Sequence, residues 1–164
     1  MRSITFGGLS RRTTILSAAA LLVAAKAPGK RAPRVLFVCL HGTVKSPIAR
    51  ELMRGQAKAR GVSIKVQSRG VDPEEGASPE VAAALVRDGI AVKRDPLRVL
   101  TAADAVWADV VVYFDPLPFE VTGKDLRDWR DTPSANQHFA EALTIMRRRI
   151  GVLLDELERP RRIG

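Results

Sequence analysis

The stretch "VLFVCLHGTVKSPIAR", residues 35–50, decides how the chain is read. Four apolar residues, Val35 to Val38, run into Cys39, the only cysteine of the chain. They predict a buried strand over 34–39, apolar and bounded by turn signals. Ser46 reads as the N-cap and Pro47 as the first-turn residue of a helix through "IARELMRGQAKAR". Ile48, Leu52 and Met53 share one face of that helix, and Gly61 stops it. A reactive side chain therefore stands between a buried strand and a helix N-terminus.

Outward from this stretch, strands and helices alternate. "VSIKVQS" (62–68) alternates apolar and polar residues as a half-buried strand does. "SPEVAAALVRDG" (78–89) is a helix opened by Ser78, Pro79 and Glu80, with Gly89 beyond its end. "TAADAVWA" (101–108) is a short helix capped by Thr101, and "DVVVYF" (109–114) a fully buried strand. Residues 115–133 form a connection with five acids and three prolines. A last helix over 134–158 places Phe139, Leu143, Ile150, Leu153 and Leu157 on one side. This alternation predicts an α/β fold with a parallel sheet covered on both faces. Ligands of such sheets bind at the carboxyl ends of the strands, where Cys39 sits.

The chemistry of residues 39–46 follows from that position. First-turn amides of a helix are unpaired, and the dipole adds partial positive charge, so an anion is favoured there. A thiol in such a place gives up its proton more readily. Lys45 adds a charge, His41 another when protonated, and Gly42 allows a positive-φ turn. A nucleotide-binding P-loop is excluded: Val44 replaces the glycine before the lysine and Cys39 the first glycine.

With 164 residues and 46% apolar content, the chain is long enough for one domain with a core. No run reaches the roughly 18–20 apolar residues of a membrane span. Residues 1–27 differ from the rest. They carry Arg2, "SRRTTIL", the eleven-residue apolar run Ile15–Ala25 and the small-x-small Ala25-Lys26-Ala27. This order predicts a twin-arginine-type signal peptide, then a linker (28–33) and a domain (34–160). The expected location is the periplasm. A cytoplasmic protein, or one tethered by an uncleaved N-terminus, is the alternative. Removing residues 1–27 takes away four bases and no acid, so the formal charge falls from +9 to +5. That modest balance suits an anionic substrate and, with few aromatics, argues against nucleic acid. His41 and His138 are far apart and no Cys/His spacing is metal-like, so no metal and no cofactor are expected.

"VLFVCLHGTVKSPIARELMR" resembles the low-molecular-weight protein tyrosine phosphatases, whose loop reads Cys, five residues, Arg, Ser/Thr, then Pro. The resemblance covers residues 34–158. "QSRG" (67–70) falls at the family's Ser-Ala-Gly, and "DWRDTPSANQHF" (128–139) at its Asp-Pro loop. It implies a three-layer α/β/α fold on a four-stranded parallel sheet, with a short strand near 125–130. It also implies Cys39 as nucleophile through a phosphocysteine and Ser46 as its hydrogen-bond partner. The amides of Leu40, His41, Gly42, Thr43, Val44 and Lys45 would bind the phosphoryl oxygens. Asp131 would be the acid and then the base, with Asp128 its rival. Asp115 reads as a turn residue, and Trp107 and Trp129 as packing, Trp129 also as a candidate for lining the site.

Three positions depart from the family. Lys45 replaces an arginine that forks onto two oxygens, and a lysine offers a single point charge. Gly42 replaces an asparagine that organises the loop, and His41 a glycine. Asp131 is followed by Thr132-Pro133 rather than by proline directly. The expected function is a slow phosphomonoesterase acting on a phosphorylated small molecule or phosphoprotein. The alternatives are an oxyanion-binding module and an arsenate reductase dependent on an external thiol.

Overall fold

Strand β1 (Arg34–Cys39) occupies the predicted residues, and all but Arg34 are buried. Its neighbours on either side are β2 (Lys65–Gly70) and β3 (Val110–Tyr113), both parallel to it. A fourth parallel strand, β4 (Asp125–Asp128), pairs with β3. The spatial order is β2-β1-β3-β4. The computed structural model describes residues 31–74, 76–92 and 98–159. The predicted leader lies outside the described residues, as do residues 28–30 of the linker.

Alternation along β1 divides the core. Val35, Phe37 and Cys39 face one cluster and Leu36 and Val38 the other. The first cluster takes Ile48, Met53 and Ala57 of α1 (Lys45–Ala59) and Val81 and Leu85 of α2 (Pro79–Arg87). It also takes Ala142, Leu143, Met146, Ile150, Leu153 and Leu154 of α4 (Phe139–Glu158). The second cluster is closed by Leu100, Ala108 and the half-buried Trp107 around α3 (Ala102–Trp107). Helices thus cover both faces of a four-stranded parallel sheet, as expected. Each large apolar side chain buried in this way contributes about 1.5–3 kcal/mol.

The bounds of several elements differ from the sequence reading. Helix α1 begins at Lys45 with Val44 at its N-cap, not at Ser46, because the Ser46 side chain is used elsewhere. β2, expected over 62–68, starts three residues later and runs two further, through Gly70, because Val38 and Cys39 pair with Arg69 and Gly70. Helix α4 begins at Phe139 rather than 134: a turn intervenes, in which the Gln137 and His138 amides both donate to the Ser134 carbonyl. The caps at Ser78 and Thr101 form as predicted, the latter as a full capping box with Asp104. Among the described residues no helix is long and apolar enough to cross a membrane.

The chain leaves β1 toward β2 on one side and later returns to place β3 on the other. The gap between β1 and β3 is therefore the switch point of the sheet, and Cys39 ends the strand beside it.

Candidate active site

Cys39 is buried, and its Sγ lies 3.1 Å from the Ser46 hydroxyl and 3.5 Å from the Ser46 amide. Ser46 Oγ also lies 3.2 Å from the Arg69 carbonyl, to which it donates. One hydroxyl proton cannot serve both partners. With a neutral thiol, Sγ–H donates to Ser46 and Ser46 donates to Arg69. With a thiolate, the Ser46 proton turns to Sγ, beside the amide that already donates there. The buried Ser46 is thus a two-position donor that follows the charge on Cys39. This explains why it does not cap α1.

The loop after Cys39 is braced from behind. The carbonyls of Cys39, Leu40 and His41 accept the amides of Val71, Asp72 and Glu74 at 3.1, 2.8 and 3.2 Å. In a trans peptide the N–H points opposite to the C=O, so the amides of Leu40, His41 and Gly42 face away from the brace. Among the described residues the amides from His41 to Lys45 meet no protein acceptor. Gly42 has φ of 67°, and a Cβ on it would stand 2.9 Å from the Gly70 backbone. A Cβ on Gly70 would stand 2.9 Å from the Gly42 nitrogen. Both positions need glycine because two backbones touch there. Gly42 stands where the family has an asparagine, and here the loop is tied down by the bonds from Val71, Asp72 and Glu74.

Lys45 turns toward the end of β3. Its Nζ donates to the Phe114 carbonyl at 3.2 Å, lies 3.4 Å from the Asp115 carboxylate, and sits 5.7 Å from the centre of the Phe114 ring. Asp115 accepts the Leu40 amide at 2.9 Å. Of the six amides assigned to phosphate binding, that of Leu40 therefore already holds a carboxylate. Asp115 is more than a turn residue: it ties β1 to β3 at the switch point. Adjacency of the two strand ends was the signal that could have found it.

Asp131 lies three residues beyond β4, at the same edge of the sheet as Cys39. Arg149 of α4 grips it with two bonds of 2.8 and 2.5 Å. Hydrogen bonds from that guanidinium hold the Asp131 carboxyl below its ordinary range. Arg149 also donates to Thr132 Oγ1 at 3.2 Å and lies 5.7 Å from the centre of the Trp129 ring. The Asp128 carboxyl is brought down to about 2 by the side chain of Arg130. Both acid candidates are thus held as carboxylates by arginines. Trp129 is a core residue, packed against Phe37 and Phe114 at 6.0 and 5.8 Å between ring centres. Trp107 packs under the Arg34 guanidinium. His41 reaches Asp72 O and Glu74 Oε1, each at 3.3 Å. His138 stands at the N-terminus of α4. Among the described residues no group of His, Cys, Asp and Glu has the geometry of a metal site.

Sequence reasoning did not reach Arg149 or the anchor of Arg69. Arg149 belongs to the run Arg147–Arg149, which reads as a solvated helix face. Arg69 is bound by Asp104 of the α3 capping box at 2.8 Å, which fixes the carbonyl that Ser46 uses.

The chain resembles known proteins in the same terms. None of the curated proteins matches it. Among solved structures, YfkJ of Bacillus subtilis is 24% identical, with a TM-score of 0.64 over 80% of this chain and 97% of that one. A protein tyrosine phosphatase of Entamoeba histolytica is 18% identical, with a TM-score of 0.67 over 81% of this chain and 100% of that one. These two likenesses show the fold. A thioredoxin-dependent arsenate reductase of Corynebacterium glutamicum is 27% identical, with a TM-score of 0.61. It is matched by 77% of this chain, which spans 62% of its length. The sequence profile of low molecular weight phosphotyrosine protein phosphatase matches residues 34–120, more than half of the chain. That span carries Cys39, Lys45 and Ser46 and stops short of Asp131. The protein belongs to the low molecular weight phosphotyrosine protein phosphatase family.

Proposed function

We propose that the protein is a phosphomonoesterase that works through a phosphocysteine on Cys39. The Cys39–Ser46 pair at the switch point carries this reading: a buried sulfur lies within hydrogen-bond reach of both the Ser46 hydroxyl and the Ser46 amide, with a row of unused amides beside it. The thiolate attacks phosphorus, the S–P bond forms, and the ester oxygen leaves with its electron pair. Amides from His41 to Lys45 stabilise the charge on the phosphoryl oxygens. Water then attacks phosphorus and the thiolate departs, its charge taken up again by Ser46. The substrate is a phosphorylated small molecule or phosphoprotein, in keeping with the family.

Hydrolysis of 4-nitrophenyl phosphate by the full chain, with Cys39→Ser as control, is the direct test. Turnover lost in the variant, together with a phosphorylated Cys39 caught by rapid quench and mass spectrometry, supports the mechanism. Turnover that survives Cys39→Ser overturns it.

A second reading rests on Asp115. Lys45 is already paired with that carboxylate, so the same loop suits an oxyanion-binding module that turns substrate over slowly or not at all. Inorganic phosphate bound without any hydrolysis would select this reading. The likeness to an arsenate reductase supports a third: with one cysteine in this chain, arsenate reduction would need an external thiol. We further read residues 1–27 as an export signal, tested by comparing the mass of the protein from whole cells with that from the periplasm.

A further inference from the structure

The peptide between Arg69 and Gly70 is pinned on both sides. Its carbonyl accepts the Ser46 hydroxyl at 3.2 Å, and its N–H, which points the opposite way, donates to the Arg98 carbonyl at 3.1 Å. The Arg69 side chain adds a third hold. Its Nε donates to Asp104 at 2.8 Å, and its guanidinium also donates to Gln67 Oε1 at 2.6 Å and to the Ser68 carbonyl at 2.8 Å. The ion pair is largely out of water, with the two side chains 11% and 14% exposed. Asp104 is fixed in turn by the capping box at Thr101, and Leu100 just before it donates to the Gly70 carbonyl at 2.8 Å. Residues 98–104 therefore grip the end of β2 from outside, through backbone and side chain together. Arg69 falls at the alanine of the family's Ser-Ala-Gly, so the side-chain hold is a departure from the family.

With a neutral thiol, hydrogen bonds run in one direction from the sulfur to Arg98: Cys39 Sγ–H to Ser46 Oγ, Ser46 O–H to the Arg69 carbonyl, Gly70 N–H to the Arg98 carbonyl. Bonds aligned in this way polarise and strengthen one another. Ionisation breaks the row in the middle. The sulfur proton leaves for solvent, the Ser46 proton turns to the thiolate, and the Arg69 carbonyl loses its donor. We propose that Arg69 is a positioning residue for the nucleophile: clamped by Asp104 and Gln67, it holds its own carbonyl where it competes with Cys39 for the Ser46 proton, and so keeps the resting sulfur protonated. Arg69 touches no substrate. The inference rests on the phosphocysteine reading only for its effect on turnover, where the acid limb of kcat/KM follows the ionisation of Cys39.

Alkylation of Cys39 by iodoacetamide as a function of pH, on the full chain and read by intact mass, is the test. Arg69→Met frees the carbonyl and is expected to move the midpoint down by about half a pH unit or more, the scale of one hydrogen bond, with alkylation about threefold faster on the acid side. Loss of a nearby cation alone would move the midpoint up, so the direction is diagnostic. Asp104→Ala releases the same hold from α3. It is expected to shift the midpoint the same way, and the double variant no further than the larger single change. In the Ser46→Ala background neither change is expected to move the midpoint, whereas a charge effect or a general loosening would move it in both backgrounds. That comparison carries the test through Asp104→Ala alone if Arg69→Met does not fold. The other charges at this end of the sheet are His41 and Lys45, Asp72 and Glu74 of the brace, Asp115 beyond β3 and the Asp131–Arg149 pair, and every variant retains them. A midpoint that rises or stays in Arg69→Met, or a shift that persists without the Ser46 hydroxyl, overturns the inference and leaves the hydrolase standing. The expected shift in a protein whose wild type hydrolyses no aryl phosphate supports the positioning role and removes the hydrolase.

Discussion

One oxygen of Asp115 accepts the Leu40 amide at 2.9 Å and lies 3.4 Å from Lys45 Nζ. The loop after Cys39 thus has an anion beside it, bound by one of the loop amides and by Lys45. On the phosphatase reading proposed above, a phosphate would share these donors with a like charge. Asp115→Asn keeps an acceptor for Leu40 and removes that charge. Inorganic phosphate is then expected to inhibit aryl phosphate hydrolysis about tenfold more tightly, the scale of one like charge a few ångströms away. An inhibition constant that stays or rises would show that Asp115 acts only through the shape of the loop.

Lys45→Arg replaces a point charge by a fork that can engage Asp115 and two phosphoryl oxygens together. Steady-state kcat/KM on 4-nitrophenyl phosphate is expected to rise about 10²-fold, the scale of a recovered transition-state donor. Lys45→Met is expected to lose phosphate inhibition altogether. A lysine that already points elsewhere for good would make both changes silent.

Ser46→Ala removes the hydroxyl that follows the charge on Cys39 while keeping the backbone amide. Alkylation of Cys39 by iodoacetamide at neutral pH is expected to slow about tenfold, from the loss of one charge-assisted hydrogen bond. Alkylation faster than in the wild type would mean that Ser46 chiefly shields the sulfur.

Gly70→Ala places a methyl group 2.9 Å from the Gly42 nitrogen and 3.0 Å from the His41 carbonyl carbon. Both are backbone atoms and cannot rotate away. A loss of about 2 kcal/mol in denaturant unfolding is expected, with weakened phosphate inhibition as its functional mark. Alanine tolerated without either change would show that the brace is free to shift.

Asp104 offers a pH test. Burial acts to raise its carboxyl, but bonds from Arg69 and from the Thr101 hydroxyl and amide outweigh this and leave it below the ordinary range. A carboxyl lowered on folding stabilises fully above its unfolded value, and the benefit is lost as pH falls through the folded one. Asp104→Asn is therefore expected to cost about 1 kcal/mol near neutral pH, as a lost cap does. The gap to wild type should close below about pH 4 in thermal unfolding. A gap independent of pH would place the loss in packing.

Local chemistry made much of this legible in advance. The apolar run into Cys39, the caps at Ser78 and Thr101 and the glycines after α1 and α2 act over a few residues, and each is found where the pattern puts it. β4 has no such signal: "DLRD" has a single apolar residue, and resemblance alone implied the strand. Ser46 misled because a serine before proline is a cap by local rules, whereas here a thiol and a carbonyl from other strands claim its hydroxyl. The partners that set charge in the site, Asp115 for Lys45 and Arg149 for Asp131, lie 70 and 18 residues away. Pairing over such separations is decided by the sheet order and the seat of α4, which no window of sequence contains.

The brace behind the Cys39 loop gives the protein a built-in gauge. The backbone amides of Val71, Asp72 and Glu74 meet the loop at its carbonyls, opposite the loop's own N–H groups. Their amide protons are therefore spectators of the chemistry and yet witnesses to the loop's shape. Occupancy of the loop can be followed from its reverse side, by the exchange and chemical shift of three amides that no substrate contacts.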